Sequence, residues 1–172
     1  VTLKVFTLSK KHKKFSFMFP TWEDGMVVMR EVMQGEFGHP SAFRLSDAEE
    51  TDMMSHMYGI IGSPLEPILA AKGYKQHSRC LLLGFTDGED GYQKNVVKNI
   101  KKIARKYHGL YLTGYVTTSW EHGRFSDPYL RDTIQDYGII IDTLECAVNW
   151  DNMPKVHDEV REVVKAWPNA IC

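Results

Sequence analysis

Strand-like runs that each lead into a one-sided amphipathic helix, three times along the chain, predict an α+β fold: a ferredoxin-like, largely antiparallel sheet with helices packed on one face. The gaps between these units are short and hairpin-like. Neither G-x-G-x-x-G after a strand nor G-x-x-x-x-G-K-S/T occurs, which argues against a doubly wound parallel sheet with a standard phosphate loop. A length of 172 residues suits one domain of ordinary size with a single substantial core.

Taken in order, VTLKVFTL at the start alternates like a strand, and Phe15 to Phe19 alternates aromatic and small residues. Thr21 then caps a helix in which Trp22, Met26, Met29 and Met33 share one face. Ala42 to Leu45 is a short strand. It opens a Met-rich stretch from Asp47 to Gly73 that is punctuated by Gly and Pro. Its apolar members, among them Met53, Met57 and Leu65, fit either a helix packed on the sheet or an adaptable apolar channel. Arg79 to Thr86 is a strand that turns through Asp87-Gly88 toward a long helix. There Val96, Ile100, Ile103, Ala104 and Tyr107 face inward, and Lys94, Lys98, Lys101, Lys102 and Lys106 face water. A polar segment follows, then a buried strand at Ile139 to Val148. The last helix turns Val156, Val160, Val163, Val164 and Trp167 to one side. The opening alternation and the helix stop at Trp167-Pro168 read as the edges of a piece of a longer chain.

Composition narrows the function classes. Hydrophobic residues make up 43% and charged residues 25%, as in a globular domain. The net charge of −1 gives no overall attraction to nucleic acid, and none is expected as a partner. The cluster Lys10 to Lys14 reads as a solvated loop or a local phosphate or lipid contact. The seven histidines include no H-x-x-x-H pair and no nearby cysteine partner, so no metal site is expected. No serine occupies a G-x-S-x-G elbow. Cys80 and Cys146 lie in apolar runs and are expected as packed, reduced thiols, which points to an intracellular site, cytoplasmic or at the margin of a membrane.

The most informative stretch is Pro128 to Trp150. Asp127-Pro128 has the form of an N-cap followed by proline at the first helical position, so a short helix is predicted from Pro128 to about Gln135, with Gly138 beyond its end. Tyr129 and Arg131 project from this helix, and Arg124 precedes it. A guanidinium can hold a phosphate or carboxylate through two parallel hydrogen bonds. Equally, Arg131 can pair with Asp127, Asp132 or Asp136 as a surface ion pair.

The run WEHGRFSDPYLRD followed by GIIIDTLECAVNW resembles the substrate, or cap, domain of FAD-linked oxidases of the vanillyl-alcohol oxidase type, most nearly their alkyldihydroxyacetonephosphate synthase branch. PSAFRLSD, CLLLGFTDGEDGYQKN and KKFSFMFPTWEDGMVVMREVM resemble other parts of the same domain. The resemblance implies that residues 1–8 are the last strand of an FAD-binding domain and residues 9–172 a cap domain incomplete at its C-terminus. It implies FAD as cofactor, bound mainly by the domain before Val1, with a histidine-rich active-site segment after Cys172. Arg131 is then the contact to the anionic group of the substrate, with Tyr129, Arg124 and Glu145 as further substrate-binding candidates. No catalytic residue is expected within the chain.

Three activities remain open. In the ether-lipid reading, the parent enzyme replaces the acyl chain of acyl-dihydroxyacetone phosphate by a fatty alcohol. In the second, a flavin-dependent dehydrogenase of a 2-hydroxy acid such as D-lactate or glycolate presents Arg131 to a carboxylate. In the third, a ferredoxin-like module binds a ligand or partner and catalyses nothing. Partners of the first two are the FAD domain of the same chain and a phosphate- or carboxylate-bearing small molecule, with peripheral membrane contact for a lipid substrate.

Overall fold

Phe15, Phe17 and Phe19 lie at alternate positions of one strand and therefore on one face of the sheet, where all three are buried. The computed structural model describes residues 1–5, 7, 9–125 and 127–172. Two units divide the chain, Val1–Thr118 and Ser119–Cys172. The first holds the sheet, with elements in the order β1 (Lys13–Phe19), α1 (Trp22–Met33), β2 (Ala42–Ser46), α2 (Ala48–Met57), α3 (Leu65–Ala71), β3 (Cys80–Thr86), α4 (Asp90–Lys106) and β4 (Leu110–Tyr111). The boundary between the units falls inside α5 (Tyr115–Gly123); α6 (Asp127–Gln135) and α7 (Met153–Lys165) lie in the second.

The strand order is β2-β3-β1-β4, and every neighbouring pair is antiparallel. With α1 linking β1 to β2 and α4 linking β3 to β4, this is the α+β, ferredoxin-like topology of two interleaved β-α-β units. Phe17 sits opposite Leu82 on one side and Tyr111 on the other. The three phenylalanines and Leu82 meet Val28 and Val32 of α1 and Val96, Ile100 and Ile103 of α4 in one buried cluster. Each such side chain contributes roughly 1.5–3 kcal/mol when fully buried. On the opposite face Met18 gathers a smaller cluster with Leu69 of α3 and Tyr74. Gly84 lets the sheet close: a Cβ there would lie 2.4 Å from the Ala42 carbonyl oxygen and 2.9 Å from the Phe15 ring.

Several elements follow local chemistry. The Asp24 amide donates to Thr21 Oγ1 at 3.2 Å, so Thr21 caps α1. The buried face of α1, however, is Gly25, Val28 and Val32, while Trp22, Met26, Met29 and Met33 are half-buried. At about 100° per residue this is roughly a quarter turn from the expected stripe. The short valines allow α1 to sit low on the sheet, with Gly25 open to the Leu45 side chain. α4 buries Val96, Ile100, Ile103 and Ala104 as its spacing requires. Lys106 of α4 pairs with Glu31 of α1, and that hydrogen bond holds the Glu31 carboxyl below the usual carboxylate range.

Other expectations are corrected. Residues 139–149 form no strand; Ile139, Ile140 and Ile141 are exposed, Ile140 to 80%. Three consecutive β-branched residues are apolar on both faces, so a strand here needs a paired edge and cover on both sides. The described residues of the second unit contain no strand to supply either. Cys146, in the same segment, is exposed rather than packed. The fourth strand is instead Leu110–Tyr111, only 2 residues long. Val1 to Val5 and Thr7 take no part in this sheet, in which β3 and β4 flank β1; Phe6 and Leu8 lie outside the described residues. In α2 the buried residues are Thr51, Asp52 and Ser55, and Met53 and Met57 point outward. No described residue of the second unit is buried, so the apolar stripe of α7 is only partly covered, with Trp167 74% exposed.

Candidate functional site

α6 carries the guanidinium singled out by the sequence. It begins at Asp127 and ends as a left-handed glycine permits: Gly138 has φ +74, and the Ile139 amide donates back to the Ile134 carbonyl at 3.2 Å. The side chain of Asp127 lies outside the described residues, so its capping role and its pairing with Arg131 are not described. Arg131 is 64% exposed, and its Nε lies 3.9 Å from Asp132 Oδ1. At that separation and exposure the pair contributes at most about 1 kcal/mol and leaves the guanidinium free to accept an anion.

Tyr129 is exposed and stands two residues from Arg131, a spacing that puts the two on different faces of the helix; Gln135, at i+4, shares the face of Arg131. Arg124 lies over the rings of Trp120 and Phe125, at 5.1 and 4.9 Å from their centroids. Glu145 is exposed in the irregular segment after Ile141. Among the described residues no hydrogen bond or ion pair joins Arg131 to Glu145, Tyr129 or Arg124.

A different constellation lies in the first unit. A cavity of about 480 Å³ opens between the C-terminal half of α4, β4 and the turn after α3. Lys101 and Arg105 reach it from α4, Lys72 from the end of α3, and His108 from the turn before β4. Phe17, Leu110 and Tyr111 form its apolar wall, and among the described residues no aspartate or glutamate lines it. Lys101 Nζ sits 3.7 Å above the Tyr111 ring. Tyr74 Oη donates to the His108 carbonyl at 2.7 Å, and burial pushes its hydroxyl pKa up, so it stays protonated and donating. An adjoining cavity of about 550 Å³ along α4 is lined by Lys13, Lys94, Lys98, Lys101, Lys102 and Arg105. Sequence reading assigned the α4 lysines to the wet face of a helix and passed over Lys72, Arg105 and His108. Their convergence depends on tertiary contacts that no linear spacing encodes. The methionines of α2 line neither cavity.

The starts of α1 and α4, the two long helices packed on the sheet, do not suit the pyrophosphate of a dinucleotide. α1 carries Glu23 and Asp24 in its first turn, and its cap hydroxyl is already engaged by Asp24. α4 opens on Glu89 and Asp90. These carboxylates neutralise the positive helix ends that would otherwise favour phosphate. The starts of α1 and α4 thus offer no cradle for a pyrophosphate.

Residues 9–172 match the family described as FAD linked oxidases, C-terminal domain. The alkyldihydroxyacetonephosphate synthase of Caenorhabditis elegans is 25% identical over 96% of the chain, and that of Dictyostelium discoideum 23% identical over 93%. The chain spans 29% and 27% of the lengths of these two relatives. Two crystal forms of alkyldihydroxyacetonephosphate synthase share the fold, with TM-scores of 0.71 and 0.75 at 19% and 20% identity. They match over 95% and 92% of this chain and over 33% and 30% of their own chains. With a match that runs from residue 9 to the last residue, the chain belongs to the FAD linked oxidases, as a C-terminal domain of that family.

Proposed function

We propose that this chain is the substrate-binding cap of an FAD-dependent, alkyldihydroxyacetonephosphate synthase-like enzyme of ether-lipid synthesis. The carrying observation is the family match over residues 9–172, joined to two curated relatives that bear that enzyme's name. The acidic starts of α1 and α4 fit an arrangement in which FAD is held by another part of the protein. The exposed apolar side chains of the second unit, Ile140, Leu144 and Trp167 among them, fit a surface that another part of the protein covers. Arg131 supplies a fixed positive charge for the phosphate of acyl-dihydroxyacetone phosphate, and Tyr129, Arg124 and Glu145 are the residues proposed to surround that substrate. The flavin, when bound, supplies the exchange chemistry, and the cap binds and orients the substrate.

Turnover of the intact protein tests this directly. Conversion of acyl-dihydroxyacetone phosphate and labelled fatty alcohol into labelled alkyl-dihydroxyacetone phosphate, with release of the fatty acid and no net reduction of a dye, is the expected result. Dye reduction by D-lactate or glycolate would assign the cap to a hydroxy-acid dehydrogenase instead, and no flavin in the intact protein would leave a non-catalytic module. Expressed alone, residues 1–172 are expected to purify colourless and to leave the fluorescence of added FAD unchanged; a yellow preparation would refute the division of labour.

Arg131→Ala in the intact enzyme is expected to raise KM for the phosphate substrate by about ten- to a hundredfold, the loss of one charge-assisted contact of about 1.5–3 kcal/mol. The thermal midpoint should stay in place, since the side chain is 64% exposed. Unchanged kinetics would reduce Arg131 to a surface partner of Asp132.

A further inference from the structure

We propose that the cavity between α4 and β4 is a binding site for a phosphate group, carried either on a soluble phosphomonoester or on a lipid head. The proposal concerns the first unit alone and does not depend on the flavoenzyme reading. Its basis is the way the cations of this region are and are not paired. Lys106 is matched by Glu31 and Lys94 by Asp90. Lys72, Lys101 and Arg105 have no carboxylate partner among the described residues, and no acid lines the cavity they share.

Ordinary helix chemistry accounts for part of this set. Arg105 and Lys106 lie in the last turn of α4, where cations offset the negative end of the helix dipole. Lys101 lies a further turn back, and Lys72 comes from a different helix. Lys101 and Arg105, at i and i+4, repel each other along the helix, so their juxtaposition costs stability unless an anion sits between them and Lys72. Lys101 is also held in place: its ammonium rests on the Tyr111 ring, which packs on Phe17 with centroids 5.3 Å apart. A cation resting on a ring that itself packs on the buried Phe17 loses less freedom on binding than one on an open surface. His108 also lines the cavity, its carbonyl fixed by Tyr74. Lysine and arginine donors around a cavity without acids match the charge and the acceptor oxygens of a phosphate dianion. The apolar wall of Phe17, Leu110 and Tyr111 provides for the organic part of its carrier.

Calorimetric titration of the intact protein with inorganic phosphate and with glycerol 1-phosphate, beside flotation with phosphatidylcholine vesicles with and without phosphatidic acid, tests the site. Lys101→Gln and Arg105→Gln remove cavity charge; Lys98→Gln removes the same charge from α4 outside this cavity. Saturable binding of the soluble phosphates, weakened about tenfold by each cavity variant and unchanged by Lys98→Gln, is the expected result for a soluble ligand. Binding only to vesicles that contain phosphatidic acid, with the same variant pattern, would assign the site to a lipid head. An equal loss with Lys98→Gln would reduce the effect to the general charge of the helix and overturn the proposal. So would the absence of binding in both arms, or binding indifferent to all three substitutions.

Discussion

Arg79→Ala is expected to destabilise the first unit by about 3–5 kcal/mol, the cost of stranding buried charges. Arg79 is 0% exposed at the entry to β3, and it holds two carboxylates from two helices. Its Nε donates to Asp52 Oδ1 of α2 at 3.3 Å, and its Nη1 to Glu66 Oε1 of α3 at 3.1 Å. Asp52 Oδ2 also accepts the His77 amide at 2.7 Å, which ties the loop before β3 into the same network. Truncation to alanine would leave both largely buried carboxylates without their counter-charge. A solvated charge pair loses a few tenths of a kcal/mol on truncation; a buried one loses far more, because the remaining partners cannot be rehydrated. The triad is not fully satisfied, since Arg79 Nη2 has no hydrogen-bond partner among the described residues. Replacing all three residues together, Arg79→Met with Asp52→Leu and Glu66→Leu, should therefore recover most of the loss. Denaturant midpoints of the single and triple variants decide the matter. A single variant within about 1 kcal/mol of the parent would show that water reaches these carboxylates.

The triad also marks where linear reading fails. Arg79 reads as the first residue of a strand, and nothing local names Asp52, 27 residues earlier, as its partner. Periodicity reports which residues favour burial and not what will cover them. It succeeded for α4, whose apolar stripe is long and bounded by charge, and for the Phe15–Phe19 run, whose aromatic alternation admits one face only. At Ile139 to Ile141 it recognised strand-forming chemistry in a unit whose described residues contain no strand. Methionine misled it twice, in α1 and α2, because a flexible apolar side chain fits a flank or a surface as readily as a core. β4 escaped notice because two residues carry no period. The family was legible from the run around Arg131, while the cavity of Lys72, Lys101, Arg105 and His108 was not, since its members meet only after α4 folds back onto the β1–β4 edge.

Phe17→Ala is the second large effect expected, again about 3–5 kcal/mol, and it carries a consequence for binding. Phe17 is 1% exposed and stands mid-sheet between Leu82 and Tyr111, with Phe15 and Phe19 on the same face at centroid distances of 6.2 and 6.3 Å. The neighbouring strands are tied by backbone hydrogen bonds and cannot collapse into the space a lost ring would leave, so transfer and cavity costs add. The same ring forms part of the wall of the phosphate cavity and the support of Tyr111, over which Lys101 rests. Loss of stability and loss of phosphate affinity should therefore appear together at this position. Phe17→Leu separates them: leucine keeps most of the apolar volume, so the fold should survive at a cost nearer 1 kcal/mol, while Tyr111 loses its aromatic neighbour. Weaker phosphate binding by a stably folded Phe17→Leu protein is expected if the aromatic pair positions Lys101. Undiminished binding would show that Lys101 needs no such support and that the cavity acts through charge alone.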